Sequence, residues 1–530
     1  MGKFRPKILF LDLVFVAELF LFALIITGVI PREAALYLAA GLAAYVLLAP
    51  LEDAVVLFIR SIPLFLALPF TTDFDNFNTW RITSAIIFLK WFAAKFSIFN
   101  FSRWQSHRGS STRSGQFSIK SQFSKFKNLL KPSISPSFFL IVLLFLAVLS
   151  IIPTPDKIAA IKRIIYFLNF AILGVVIYDK AGNKEFAIKL IKNSIIPVVI
   201  VAAVGYIQVI STYFIDIYQF MRIWGEGIQC RQFGYEWCTI AVELGNTWFA
   251  YYGEQLSLRV FSLFPDSHSF PQFVLLGIPA VLMVVQKKWA RMLILSLLFL
   301  IIILSGTRGI WAASVGVVLL ATGMIIFIRK RDWVNLAYAK FTQLKRLSGY
   351  LIIFFIMFLV AFPILASPQF LIGKSDDILK ARLRSILDFG ETSNAQRIEI
   401  WKKTLSSIKQ RPFLGVGIGN YPVVLGQDIR LAKAGSSAHN LYLHIAAEMG
   451  ILAGIIFIWF LWLLFKRNYD IFVKENDKQL GIYFAATLLF VPWVLIYSLT
   501  DVAIFDERAL LFALIPIAII LGTKNPTELD

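Results

Sequence analysis

The chain has 530 residues, 58% of them hydrophobic and 50 of them Phe, and its 52 Lys plus Arg against 32 Asp plus Glu give a formal charge of +20. Apolar runs recur along the whole sequence, which excludes a soluble domain with a single anchor, because a soluble chain must cover its surface with polar residues. The excess cations need no nucleic acid, since cationic loops hold the cytoplasmic ends of membrane helices against anionic lipid.

The sequence starts MGKFRPK and continues into an apolar run over residues 8–30. It reads as a first spanning helix, not a removed signal peptide, for want of a small-residue cleavage site. Further apolar segments near the length of a bilayer crossing follow at 33–50, 53–70, 77–94, 137–153, 163–178, 194–213, 271–286, 292–306, 309–328, 348–366, 449–465, 480–499 and 507–522. The expected fold is therefore an all-α polytopic membrane protein with about fourteen transmembrane helices, within a range of twelve to fourteen. Arg60 in the third segment requires either a buried partner in the bundle or a different boundary. Lys90 and Lys95 sit at the tail of the fourth.

With the N-terminus inside, the inner loops hold Lys3, Arg5 and Lys7; Lys287, Lys288 and Arg291; Arg329, Lys330, Arg331, Lys345 and Arg346; and Lys466 and Arg467. The stretch 99–136, rich in Ser, Gly and Gln with seven Lys or Arg and no acid, reads as a flexible cytoplasmic loop. The chain then divides into membrane helices over 1–98, that basic loop, membrane helices over 137–213, an outer loop over 214–270, and membrane helices over 271–366. A large outer loop with the candidate active site follows over 367–448, and membrane helices close the chain over 449–530.

The first outer loop carries Cys230 and Cys238, which form either a disulfide in an oxidising compartment or two buried thiols. Two cysteines and four histidines (His107, His268, His439 and His444) leave little for a zinc site, and no P-loop or dinucleotide fingerprint stands in a strand–turn–helix setting. LSLRVFSLFPDSHSFPQF ends this loop, with Arg259 and His268 bracketing it. An arginine there can clamp phosphate oxygens through its planar fork, or Asp266 can occupy it in a structural pair. Arg308, in LSGTRGIW, falls in a tight outer turn, where it serves either a ligand or neighbouring carbonyls and headgroups.

In the second outer loop, residues 394–410 place Ile398, Trp401, Leu405 and Ile408 at helical spacing. Arg397, Lys402, Lys403 and Lys409 are left for the other sides, as in a helix lying on the bilayer. The glycines of GVGIGNYP suit a tight structural turn. Ser436 or Ser437 is then a candidate N-cap for a helix running on from Leu441, which puts His439 in its first turn. A histidine there suits activation of a hydroxyl, with the helix terminus favouring its neutral form. The alternative is a structural or solvated imidazole. His444, five residues on, points elsewhere around the same helix and is expected to pack or meet headgroups.

The segments LRVFSLFPDSHSF, LSGTRGIW and AQRIEIWKKTLSSIKQRPFLGVGIGNY, followed by AHNLYLHIAAEMGILAG, resemble the O-antigen ligase and O-antigen polymerase superfamily over roughly residues 250–465. That resemblance implies a metal-independent glycosyltransferase without a cofactor in the bacterial cytoplasmic membrane, its active site facing outward. The donor is a glycan on an undecaprenyl-diphosphate carrier. The acceptor is a hydroxyl of a lipid core, another glycan or a protein. His439 is implied as the base or acceptor-positioning group, and Arg259, Arg397 and, less directly, Arg308 as diphosphate contacts. A ligase is the first expectation and a polymerase the second. A secondary transporter is the rival of a different class, but it calls for polar or broken helices at the midplane, whereas the distinctive polar residues here collect in the outer loops.

Overall fold

The computed structural model describes residues 10–70, 77–96, 136–235, 238, 247–252, 255–330, 336–367, 369–370, 392–427 and 436–523. Nearly all of the basic loop expected over 99–136 lies outside the described residues. Helices dominate the rest. Two short antiparallel ribbons accompany them, Ala67–Leu68 with Phe77–Asn78 and Phe249–Tyr252 with Gln255–Leu258.

Among the described residues, seven helices are long and apolar enough to cross a membrane: Phe10–Thr27, Lys157–Ala181, Lys184–Ser211, Arg308–Phe327, Ala339–Leu365, Ile451–Lys474 and Lys478–Tyr497. This makes the chain a multi-pass membrane protein. The remaining apolar segments of the sequence form helices that are shorter or, at Thr79–Phe96, interrupted by Arg81, Lys90 and Lys95. Exposed Phe20, Leu48, Phe145, Leu319, Leu359 and Ile455 cover outer faces of the helices, as lipid-facing positions do.

The expected third span is corrected. Its helix runs only over Leu51–Ser61 and passes through a 3-10 turn at Ile62–Leu64 into an extended stretch. Pro63 is the cause, since it lacks an N–H and its ring blocks the preceding turn. The carbonyls released from helical bonding are met by protein donors: Gln232 on Pro63 (3.1 Å), Arg508 on Phe65 (2.8 Å) and Arg32 on Ala67 (3.2 Å). Irregular backbone at membrane depth is tolerable only on those terms. Arg60 has its partner in the bundle, donating to Asp12 and to Asn193, each at 2.7 Å.

Tie points sort the helix ends into two sets. At one end Lys189 pairs with Asp53 (2.6 Å), Lys184 with Glu475 (2.9 Å) and Lys95 with Asp179, and Arg467 donates to carbonyls at the end of the last helix. The other end gathers residues 259–268, the 305–307 turn, the segment around 439 and the loop after Tyr497. Two helices organise that end. Ser269–Val284 and Lys478–Tyr497 are buried on nearly every face, so they form the centre of the bundle and bring the residues at this end of the two helices close together.

Candidate functional site

Asp266 builds the first part of the site. Its Oδ1 accepts from the backbone N–H groups of His268 (2.7 Å) and Ser269 (2.8 Å), satisfying donors that the first turn of Ser269–Val284 leaves open. His268 is thereby fixed at the mouth of a central helix. Arg259 arrives from the end of the Gln255–Leu258 strand, its own N–H bonded to the Trp248 carbonyl at 2.8 Å. Nη2 of Arg259 lies 3.1 Å from Nε2 of His268. Burial, and then the positive charge of Arg259, push the His268 pKa down to about 3. A neutral imidazole accepting from Arg259 on Nε2 carries its proton on Nδ1, the nitrogen 3.8 Å from Asp266.

Arg308 heads its helix beside this group. The turn before it is pinned by Thr307, whose hydroxyl donates to the Ser267 carbonyl at 2.8 Å, and Arg308 itself is half-buried. Gly306 in the same turn has φ +66°, and a Cβ there would stand 3.1 Å from Cγ of Arg259.

The helix Thr392–Gln410 turns a different face inward than the apolar spacing predicts. Ile398 and Leu405 are exposed, whereas Thr404 and Ile408 are buried and Trp401 donates to the Ala438 carbonyl at 2.9 Å. Arg397, Trp401, Thr404 and Ile408 therefore form one stripe at the i, i+4, i+7, i+11 spacing of a helix face. The winning contact is polar: the Thr404 hydroxyl lies 2.7 Å from that of Tyr421. Arg397 shares the packed face one turn ahead of Trp401, while Lys402, Lys403 and Lys409 face outward.

His439 is not in the first turn of a helix. The cap is Asn440, whose side chain accepts from Leu443 at 3.0 Å, and the helix is Leu441–Met449. Ser437 instead accepts from the His439 N–H at 3.3 Å. His439 precedes the cap with φ +44°. This left-handed conformation costs a non-glycine residue about 1–3 kcal/mol and persists only where the surroundings impose it. Burial and the charge of Arg397 lower its pKa, and Asp501 opposes them. Neutrality thus comes from desolvation first, not from the helix terminus. Nδ1 of His439 is buried without a hydrogen-bond partner among the described residues.

Asp501, which sequence reasoning missed, lies in the loop after the central helix Lys478–Tyr497. It is buried, its Oδ1 accepts from Val502 (2.7 Å) and Ala503 (3.1 Å), and its Oδ2 stands 3.9 Å from Nε2 of His268. The signal in the sequence was an acid in a short loop between two apolar segments.

His444 serves packing. It is buried, stacked on Tyr421 with ring centroids 4.6 Å apart, and its Nε2 is 3.5 Å from Glu448. The glycine turn supports the same helix from its other end: Val416 donates to the Ala447 carbonyl and Gly417 to that of Glu448, each at 2.9 Å. Gly415 has φ +65°, and a Cβ there would come within 2.3 Å of the Ala447 oxygen, so only glycine passes. Cys230 and Cys238 are joined as a disulfide with Cα atoms 4.6 Å apart, and the neighbouring Arg231 guanidinium abuts Gly28 at the end of the first helix.

Arg259, His268, Arg397, His439 and Asp501 thus form one electrostatically connected group, with the fields of Arg259, Arg397 and His439 all reaching His268. Such a group can hold an anion and move a proton beside it. No curated protein matches the chain. Residues 292–458 match the family described as O-antigen ligase, a stretch that contains Arg308, Arg397 and His439 but neither Arg259 nor Asp501. The chain is thus a multi-pass membrane protein whose residues 292–458 are similar to the O-antigen ligase domain of the O-antigen ligase and polymerase superfamily.

Proposed function

We propose that the chain transfers a glycan from an undecaprenyl-diphosphate carrier to an acceptor hydroxyl at the outer face of the bacterial cytoplasmic membrane, as a ligase does. The observation that carries this reading is the meeting of two arginines with a neutral, desolvated histidine and a buried carboxylate. Arg259 and Arg397, with Arg308 beside them, bind the diphosphate through planar, charge-assisted contacts. His439 takes the proton from the acceptor hydroxyl, and the oxygen attacks the anomeric carbon. The bond from that carbon to the diphosphate oxygen breaks, and undecaprenyl diphosphate departs with the electron pair. Direct displacement inverts the anomeric centre. Asp501 stabilises the imidazolium as it forms, and the arginines take up the charge developing on the leaving group.

This chemistry needs neither a metal nor a cofactor, because the arginines supply the positive charge. The acceptor is a lipid core in the ligase reading. In a polymerase it is another growing glycan, and a protein acceptor obeys the same chemistry. The cationic end of the bundle is assigned to the cytoplasm and its anionic lipids, leaving the site outside.

Deleting the gene and analysing envelope polysaccharides by gel and mass spectrometry tests the reading. Free lipid-linked polymer without attached polymer supports a ligase, and accumulation of single repeat units supports a polymerase. An unchanged envelope overturns both.

A further inference from the structure

The central helix Lys478–Tyr497 ends at the site on a side chain that nothing above uses. Tyr497 is 2% exposed, and its hydroxyl is buried with no hydrogen-bond partner among the described residues. Leaving a buried hydroxyl unpaired is destabilising, a cost that a packing role alone does not require, since phenylalanine fills nearly the same space. Its position is held by close packing. Gly309, in the first turn of Arg308–Lys330, leaves room for the ring, because a Cβ there would fall 2.7 Å from Cε2. Gly306, three residues earlier, leaves the same kind of room for Arg259, so Arg259 and Tyr497 flank one turn. The charges around Tyr497 are Asp501, Asp266, Arg397 and Arg259, which are groups of the site itself.

We propose that the Tyr497 hydroxyl is a further donor to the diphosphate of the lipid carrier, completing the clamp begun by Arg259 and Arg397. The inference rests on the glycan-transfer reading and adds a substrate contact to it. A phenol is a neutral donor, so it adds a directed hydrogen bond to the phosphate oxygens without adding a further positive charge beside His439. The hydroxyl is enclosed in the ligand-free molecule. Diphosphate binding therefore includes a rearrangement of the side chains around the hydroxyl that uncovers it.

The test compares full-length wild type, Tyr497→Phe and Arg259→Lys in lipid nanodiscs. Melting temperature without ligand is measured first, then affinity for undecaprenyl diphosphate and for undecaprenyl monophosphate. For Tyr497→Phe the expected results are a ligand-free melting temperature equal to or above wild type, an affinity for the diphosphate about tenfold weaker, and an unchanged affinity for the monophosphate. A lowered melting temperature, an unchanged diphosphate affinity or an equal loss for both lipids overturns the inference. If wild type binds the diphosphate and Arg259→Lys weakens it while Tyr497→Phe does not, this inference fails and the functional reading stands. If wild type binds neither lipid, both fail.

Discussion

Leu441 donates its backbone N–H to the Ser498 carbonyl at 2.8 Å. That bond joins the start of the helix after His439 to the end of the central helix before Asp501. Two segments some sixty residues apart thus share one end of the bundle, and the imidazole of His439 lies between opposing fields. Asp501 favours its protonated form and Arg397 its neutral form.

The opposing fields predict opposite displacements of a pH profile. If neutral His439 is the base, kcat/KM falls on the acid side as it takes up a proton. Asp501→Asn removes the charge that favours protonation, so that limb moves to lower pH, and kcat falls about tenfold or more for want of imidazolium stabilisation. Arg397→Gln removes the opposing charge, and the limb moves to higher pH. Profiles measured with purified protein and a lipid-diphosphate-linked donor check this. Limbs that stay in place in both variants would remove His439 from the proton transfer.

The arginines yield a prediction about shape. Lys keeps the charge of Arg259 or Arg397 but not the planar fork, and an ammonium cannot hold His268 and two phosphate oxygens in the same way. Arg259→Lys and Arg397→Lys should each lower kcat/KM at least about tenfold, consistent with the loss of one charge-assisted hydrogen bond. Membrane insertion should remain normal. Wild-type transfer in both variants would reassign them to lipid headgroups.

His268 links the site to stability. Its folded pKa, about 3, lies below the ordinary value of 6.5. As pH falls below 6.5 the unfolded chain binds a proton here that the folded chain refuses, so stability is lost on acidification. His268→Gln keeps an acceptor for Arg259 and removes the titration. Melting temperatures followed from neutral to acid pH should fall less steeply in this variant than in wild type. Parallel curves would show that His268 protonates freely in the folded protein.

Orientation can be tested with cysteine probes. Lys345 stands on an exposed face at the cationic end and Ser436 at the end that carries His439. In sealed cells an impermeant reagent should label Ser436→Cys and spare Lys345→Cys. The reverse pattern would put the proposed chemistry on the cytoplasmic face, where the outward-facing assignment fails.

Apolar runs were legible because lipid imposes them on any helix that faces it, and the identities of Arg259, Arg397 and His439 were legible because fork-shaped cations and an imidazole suit diphosphate and hydroxyl chemistry. Relationships created by tertiary contact were not. The break at Pro63 depends on donors from Gln232, Arg508 and Arg32, each far away in sequence. Asp501 becomes part of the site only through the packing of the central helices. Ser437 and Asn440 are both good capping residues, so composition could not choose between them. The left-handed turn at His439 that decides for Asn440 leaves no mark in the sequence.

The two histidines of AHNLYLHIAAEMG give the last prediction. Helical spacing predicts that they diverge around one helix, but what separates them is the left-handed backbone at His439 followed by the Asn440 cap. His439 feels Asp501 and Arg397, its Nδ1 buried without a partner among the described residues, whereas His444 is enclosed by Tyr421, Glu448 and Phe505. His439→Ala should nearly abolish glycan transfer while leaving the melting temperature close to wild type. His439→Gly should be equally inactive and no less stable than the alanine variant, because glycine takes a positive φ without strain. His444→Ala removes a stacked ring and leaves Glu448 short of a partner, for a loss of about 1–3 kcal/mol, yet the folded fraction should keep most of its transfer activity. Thermal melts and transfer rates normalised to folded protein distinguish the two roles. An active His439→Ala variant, or an inactive but fully folded His444→Ala variant, would show that the proton passes through a different imidazole or through none.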